Sequence, residues 1–551
     1  MNGPTIFNIF RPFKTLTLGS LLAFFVALPV RATDRIYAKY GPLETSVSVD
    51  SLKVYADTGK VNWELFPYFL FLQPYHQKTL NEFLQMRFGV GSVQVRQSLN
   101  SPMGKIFLQS LGEILRVRDG KNGSNALRET LFEVTENYGE FSVFELLQQF
   151  PGELQLNIAA LLELANRIEG VITETETLNK ALENMTIAIA STEPTVNYDD
   201  LPDPKQPGNL YVSKRILTVF DRDRDREIEV TFYYPSFPLE DTVPVIVISP
   251  GLGSTAVGWR PFAEHLSSHG FAVAIVRHPG SDFAHLQRFF EGEESESFKL
   301  GEFVDRPRDI SFVLDELEQR NFSEFNGILD VENVGILGQS FGAYTALTLA
   351  GAPLNFDRLE TNCRPPIDLL NLSLLLQCRA LEVPRRSYQL KDDRIAAAFV
   401  VDPVNGAIFG PESLEKIAIP IFWASGSADL LTPVVLEQID SVTSLSSPER
   451  YFALVRGANH VDFNPAAIAQ FQALDEESLG QIVSSDPDVI ASYMSAFGLA
   501  FFQVNLARNP DYRPFLRASY AGTIAREPYG LSFIPLLTTE QLERAIAELQ
   551  K

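Results

Sequence analysis

A mainly helical N-terminal domain, followed by an α/β domain whose mostly parallel central sheet is flanked by helices, is the architecture this sequence predicts. Three observations carry it. From Arg35 to about Met185, stretches such as "TLNEFLQMRF", "MGKIFLQSLGEIL", "FSVFELLQQF" and "LNIAALLELANRIEGVI" repeat apolar residues at three and four spacing. Between Ser191 and Asn209, "STEPTVNYDDLPDPKQPGN" loses this periodicity and fills with proline and acids, as an interdomain linker does. After Leu210 the short apolar runs "VPVIVIS", "FAVAIV", "NVGIL", "IAAAFVV", "IPIFWAS" and "YFALV" read as strands buried on both faces, with helical stretches between them.

The first 32 residues place Arg11 and Lys14 ahead of the apolar run "LTLGSLLAFFVALPV" and close on "VRA". This is the order of a secretory signal peptide, with cleavage expected after Ala32. The run is shorter than the roughly 20 residues that span a bilayer. The mature chain is therefore expected to carry no transmembrane helix and to work in the periplasm, cell envelope or extracellular space. The expected organisation is a signal peptide over 1–32, an accessory domain over 33–190, a linker over 191–209, a catalytic domain over 210–505 and a C-terminal extension over 506–551.

Of 551 residues, 69 are acidic and 46 basic, and the formal charge of -23 would repel phosphate backbones and anionic membrane surfaces. Nucleic acid is excluded as an expected partner. The accessory region shows no Gly-rich phosphate loop and no cluster of His, Cys and acids, so its residues name no envelope or protein partner. The opening "YAKYGPLETSVSVDSLKVYA" alternates more like strands than helix. "DRDRDRE" from Asp221 lacks the glycine and closing glutamate of a calcium loop and reads as a solvated hairpin turn. The C-terminal segment is expected to end in a helix opened by a capping box from Thr538, "TTEQ".

The chemistry is expected at Gly338-Gln339-Ser340-Phe341-Gly342. A G-x-S-x-G match alone is weak, but here "NVGIL" precedes it as a strand and "AYTALTLA" follows as a helix, the context a nucleophile elbow requires. Ser340 is thus a nucleophile or a helix N-cap, and the context favours the nucleophile. A serine needs a base, and His460, in "RGANHVDF" after the strand "YFALV", is the one histidine that follows Ser340. Two carboxylates qualify to orient it. Asp429, in "ASGSADLLTP", is preferred because its loop lies one strand before the histidine, and Asp402 in "FVVDPVNG" is the alternative. Either gives the order Ser, acid, His.

Oxyanion donors are expected from the N–H of Phe341, which follows the serine, and from "PGLGS" after the strand "VPVIVIS", with Leu252 first and Gly253 second. Gln339, Trp259 and His278 are candidate pocket residues. Cys363 and Cys378, the two cysteines, are candidates for a disulfide in an exported chain. They bracket "DLLNLSLLLQ" within an insertion over 352–393 that reads as a lid or pocket wall for an apolar acyl chain.

These residues together resemble the α/β-hydrolase superfamily, and more narrowly its platelet-activating-factor acetylhydrolase and dienelactone-hydrolase-like branches. "SPGLGS", "RHPGSD", "RPRDI", "GQSFG", "GSADLLTP" and "GANHVDF" carry the match from Leu210 to about Val504. The first domain resembles a helical family of unknown function fused in front of such hydrolases in exported proteins. The resemblance implies an α/β-hydrolase fold and hydrolysis of a small-molecule or lipid carboxylic ester through an acyl-serine, with no cofactor or metal. Many relatives carry His-Gly where this chain has Pro250-Gly251. The acetylhydrolase branch places its acid at the position of Asp402, and the lipase branches place it at Asp429. An acyltransferase with the same triad and a non-catalytic binding protein on the same scaffold are the alternative readings.

Overall fold

The computed structural model describes residues 33–550 apart from 71–73, 90, 237–241 and 465–485. The expected signal peptide lies outside the described residues. Among them, no helix is long and apolar enough to cross a membrane.

Near the N-terminus the strands β1 (Arg35–Tyr40) and β2 (Leu43–Ser48) form an antiparallel pair, as the alternation of the opening predicts. Three-residue β3 (Arg87–Gly89), β4 (Leu115–Val117) and β5 (Glu140–Ser142) and four-residue β6 (Leu154–Asn157) are too short to show a period. β6 runs parallel to β1 and pairs with β4, giving the sheet order β2-β1-β6-β4, while β3 pairs with β5. Helices such as Val49–Thr58 and Ser124–Asn137 pack around these strands over a cluster that includes Val47, Leu65, Leu127 and Phe150. The region is therefore mixed, with a sheet the helical periodicity does not announce.

A helix of 35 residues, Ile158–Thr192, joins this region to the rest, opened by Asn157, whose side chain accepts from the Ala160 N–H. Ile158 and Leu162 belong to the N-terminal cluster, whereas Leu178, Ala181 and Leu182 belong to the cluster under the large sheet. The proline-rich stretch after it is tied down: Glu193 accepts the N–H groups of Ala518 and Ser519 at 3.0 and 2.8 Å, and the Tyr198 hydroxyl donates to Pro514 O at 3.1 Å.

The large sheet has nine strands: β7 (Val212–Asp221), β8 (Arg226–Pro235), β9 (Val243–Ser249), β10 (Ala272–Val276), β11 (Leu329–Gln339), β12 (Ile395–Val401), β13 (Ile421–Gly426), β14 (Arg450–Val455) and β15 (Leu531–Pro535). Their order is β15-β14-β13-β12-β11-β9-β10-β8-β7. β9 to β14 are parallel, and the β7/β8 hairpin and β15 are antiparallel additions at the two edges. "DRDRDRE" is the hairpin turn, with the Asp221 carboxylate accepting the N–H groups of Asp223 and Arg224. Both faces are covered, so the strands are apolar throughout: Val245 and Val247 of β9 face one cluster, Ile246 and Ile248 the other. Helices Glu302–Phe325 and Phe341–Leu349 cover the first face, and Ala256–Ser268 and Pro487–Asn505 the second. From β9 the chain winds outward to β10, then returns to place β11 on the other side of β9. The carboxyl ends of β9 and β11 thus bound the crevice where such sheets hold their sites.

The C-terminal segment adds β15, a short apolar run next to β14, and closes with a helix whose capping box pairs Thr538 with Gln541. Because Leu182 is fully buried against the large sheet, Leu182→Ala is expected to destabilise the chain by about 2–5 kcal/mol. Chemical denaturation followed by circular dichroism would measure it. A loss below about 1 kcal/mol would mean that the long helix only skirts the sheet.

Candidate active site

β11 ends at Gln339 and a helix starts at Phe341, leaving Ser340 alone at the turn with φ 56 and ψ -119. A non-glycine residue in that region carries strain that its surroundings must sustain. Two close crossings sustain it. A Cβ at Gly338 would meet Gly342 O at 2.1 Å, and one at Gly342 would meet Ser249 O at 1.8 Å, so glycine is required at both positions. The Ser340 N–H donates to Val401 O at 2.9 Å, while its side chain makes no helix-capping bond. The N-cap alternative therefore fails.

His460 and Asp429 meet in the loops after β14 and β13. His460 Nδ1 lies 2.6 Å from Asp429 Oδ2. That oxygen also accepts the Thr432 hydroxyl at 2.6 Å, and Oδ1 accepts the N–H groups of Leu431 and Thr432 at 2.7 and 2.9 Å. Burial would raise the carboxyl of Asp429, but the charge and hydrogen bond of His460 and the Thr432 bonds outweigh it and hold the group below the usual carboxylate range. The Gln339 side-chain amide donates to His460 O at 3.2 Å, which fastens the histidine loop to the residue preceding the serine. Gln339, 5% exposed, is thus a brace for that loop and not the pocket residue expected of it.

Asp402 follows β12 with φ 43 and is completely buried. Its Oδ1 accepts the Gly426 N–H at 3.0 Å, and its Oδ2 has no partner among the described residues. Ligand-type atoms of Asp402, Asp429 and His460 lie within 4.8 Å of one another. Burial first, then repulsion from Asp429, pushes the Asp402 carboxyl well above its ordinary value. Two neighbouring carboxyls are thereby driven apart, Asp429 toward the ionised form and Asp402 toward the neutral one. The same three side chains make a donor set of the kind that binds a divalent cation, but Nδ1 of His460 is already committed to Asp429.

The loop after β9 approaches the serine closely, since a Cβ at Gly251 would lie 3.4 Å from Ser340 Cβ. The N–H groups of Leu252 and Phe341 find no acceptor among the described residues, as expected of oxyanion donors. Gly253 does not qualify, because its N–H donates to Ser281 O at 2.8 Å. The expectation for Trp259 is also corrected. Trp259 is 2% exposed and packs with Phe262 in the apolar layer. His278 is held between Ser249 Oγ and Asp309 Oδ2 at 3.0 and 2.9 Å, and it lines a cavity together with Pro250 and Gly251.

The insertion carries the Cys363–Cys378 disulfide and sits at the carboxyl ends of β12 and β13. Buried Glu437 accepts Asn371 Nδ2 at 2.7 Å and Gln377 Nε2 at 2.8 Å from the insertion, and the Asn405 N–H at 2.7 Å from the loop after β12. Ser373 N–H donates to Leu431 O at 2.8 Å. The insertion is therefore a pinned wall beside the acid loop. Its outer side meets the N-terminal region, where Ile367 N–H donates to Ser110 Oγ at 3.0 Å and Arg167 pairs with Asp368. Thr432, three residues after Asp429 in "DLLT", escaped the sequence reading because a threonine in a loop carries no signal until its partner is fixed.

A family model described as "Alpha/beta hydrolase of unknown function (DUF1400)" matches residues 32–157. The chain has an α/β-hydrolase fold. The matched stretch lies wholly ahead of the nine-stranded sheet and contains none of the residues gathered around Ser340. No curated protein matches the chain.

The two carboxyls generate opposite predictions. Asp429→Asn is expected to lower turnover by about 10³–10⁴-fold, as loss of the imidazole-orienting acid does, whereas Asp402→Asn keeps the neutral form already present. Folded Asp402 holds its proton while the unfolded chain releases it near 3.8. Stability therefore falls as pH rises above that value, until the raised folded value is passed. Urea midpoints at pH 5 and pH 8 should show a smaller decline for Asp402→Asn than for the unsubstituted chain. Equal declines would mean that Asp402 is ionised in the fold.

Proposed function

We propose that the chain is an exported serine hydrolase that cleaves carboxylic esters. The observation that carries this reading is Ser340 held at φ 56 in the elbow, with the loop of the buried His460–Asp429 pair fastened to the adjoining Gln339 through its side-chain amide. Ser340 Oγ attacks the ester carbonyl while His460 Nε2 takes its proton. The carbonyl oxygen becomes an oxyanion that the N–H groups of Phe341 and Leu252 hold. Collapse expels the alcohol, which leaves with the proton from His460. Water then repeats the sequence on the acyl-serine, with His460 again as base, and releases the acid. Asp429 keeps the imidazole in the tautomer whose Nε2 accepts and stabilises the imidazolium formed at each attack.

A lipid-like or short-chain acyl ester, in the manner of the acetylhydrolase branch the motifs resemble, is the substrate class this reading favours. The apolar insertion supports it, since Leu374 and Leu376 are buried in the same apolar cluster as the elbow residue Phe341. The N-terminal region, braced against that insertion, then acts as a module that holds the substrate side of the enzyme in shape. Export follows from the leader-like opening of the sequence.

The test compares p-nitrophenyl acetate, butyrate and decanoate as substrates of the chain from Thr33 and of its Ser340→Ala variant. Activity on at least one ester is expected, with a loss of about 10³-fold or more in the variant. Equal activity in both would remove Ser340 as nucleophile, and a folded chain inert on all three would remove the esterase reading.

A further inference from the structure

Beneath the oxyanion loop lies a buried polar cluster that the reaction above does not use. Its centre is Arg306, 1% exposed, on helix Glu302–Phe325. Nη2 donates to Ser249 Oγ at 3.2 Å and to Pro250 O, Nη1 to Ser281 Oγ at 2.6 Å, and Nε to Thr345 Oγ1 at 3.1 Å. The guanidinium sits 4.6 Å from the centre of the Phe341 ring. Ser249 and Pro250 lead into Leu252, Ser281 receives the Gly253 N–H through its carbonyl, and Thr345 stands one turn along the helix that Phe341 opens. One planar cation therefore ties together the two segments that carry the oxyanion donors.

The direction of each bond follows. Arg306 has only hydrogens to give, so Ser249 Oγ accepts from it and donates its own hydrogen to His278 Nε2. His278 is then the Nδ1–H tautomer and donates to Asp309. Burial first, then the Arg306 charge, holds His278 well below its ordinary value, in keeping with a neutral ring. This second Ser-His-Asp row is no second nucleophile, because Ser249 is completely buried and its hydroxyl is committed on both sides.

A buried guanidinium is expensive. Among the described residues Arg306 has no carboxylate at ion-pair distance, and its compensation comes through Ser281, which donates to Glu302 Oε2 at 2.5 Å. An apolar residue of similar volume would serve packing as well or better. What an apolar residue cannot do is fix Pro250 O and the elbow helix from a single rigid fork. We propose that Arg306 is the positioning residue of the oxyanion hole, setting the Leu252 N–H relative to the Phe341 N–H through Ser249, Pro250 and Thr345. The inference rests on the reading of Ser340 as nucleophile.

The test uses the full chain with Arg306→Lys, which keeps the charge and loses the fork, together with Ser249→Ala and Thr345→Val, which each remove one acceptor. Thermal midpoints, Ser340 labelling by a fluorophosphonate, kcat and KM for p-nitrophenyl butyrate, and inhibition by an alkyl trifluoromethyl ketone are measured. Arg306→Lys is expected to lower kcat about tenfold or more with KM changed less than about threefold, and to weaken the ketone, whose adduct needs the hole, by a similar factor. Should Arg306→Lys fail to fold, the two milder variants must show smaller losses in the same two readouts. Variants labelled and turning over like the unsubstituted chain would overturn the positioning role alone, as would losses that only follow the folded fraction. An unsubstituted chain that the probe leaves unlabelled would overturn the nucleophile and this inference together.

Discussion

Everything at the site depends on how closely the elbow approaches the end of β9. Gly342 lies so near Ser249 O that a single methyl group would sit 1.8 Å from it. Because the helix can be drawn down onto the neighbouring strand in this way, the chain must reverse within one residue, and that residue is Ser340. The strained φ of the serine, the free N–H of Phe341 and the nearness of the Pro250–Gly251 loop are three consequences of the same contact. Neither the histidine nor its acid imposes this geometry. They are brought to it, by Gln339 on one side and by the β13 and β14 loops on the other.

The electrostatics obey a similar economy. Two carboxyls in one dry space cannot both be charged without large cost, and hydrogen bonds decide which of them is. Asp429 receives two backbone N–H groups, a hydroxyl and the imidazole, whereas Asp402 receives one N–H. The asymmetry of donors favours the charged form of Asp429 and the neutral form of Asp402. Beneath the oxyanion loop the same logic runs with the signs reversed, a buried cation held by neutral oxygens.

The sequence displayed its parallel sheet clearly, because strands buried on both faces must be continuously apolar, and it displayed Ser340 and His460 through the strand-turn-helix context and the chain order. The choice between Asp429 and Asp402 was legible only as a preference, since both follow strands of that sheet and donors from Leu431, Thr432 and Gly426 are invisible without the fold. In "PGLGS" the sequence ranks Leu252 ahead of Gly253 only as a preference, and the Ser281 carbonyl, which takes the Gly253 N–H, is what separates them. Trp259 reads as a pocket residue because aromatic side chains near strand ends suggest sites, yet it packs into the apolar layer against Phe262. β3 to β6 stay hidden in the sequence because three or four residues cannot display a period of two, and β15 because its apolar run stands among turns.

The placement of the family match sharpens what the N-terminal region is. A stretch described as an α/β hydrolase that contains none of the nine strands is best understood through the helix that follows it. Ile158–Thr192 starts in the N-terminal cluster and ends in the cluster of the large sheet, so the two cores share one rigid element. The N-terminal region also touches the insertion at Ser110 and Arg167, and the insertion is fastened through Glu437 to the loops that hold Asp402 and Asp429. A displacement of that region would be felt at the insertion before it reached Ser340, His460 and Asp429. Fixed at one end by a shared helix and at the other by the insertion, it is built as part of the molecule's frame rather than as a separate body on a tether.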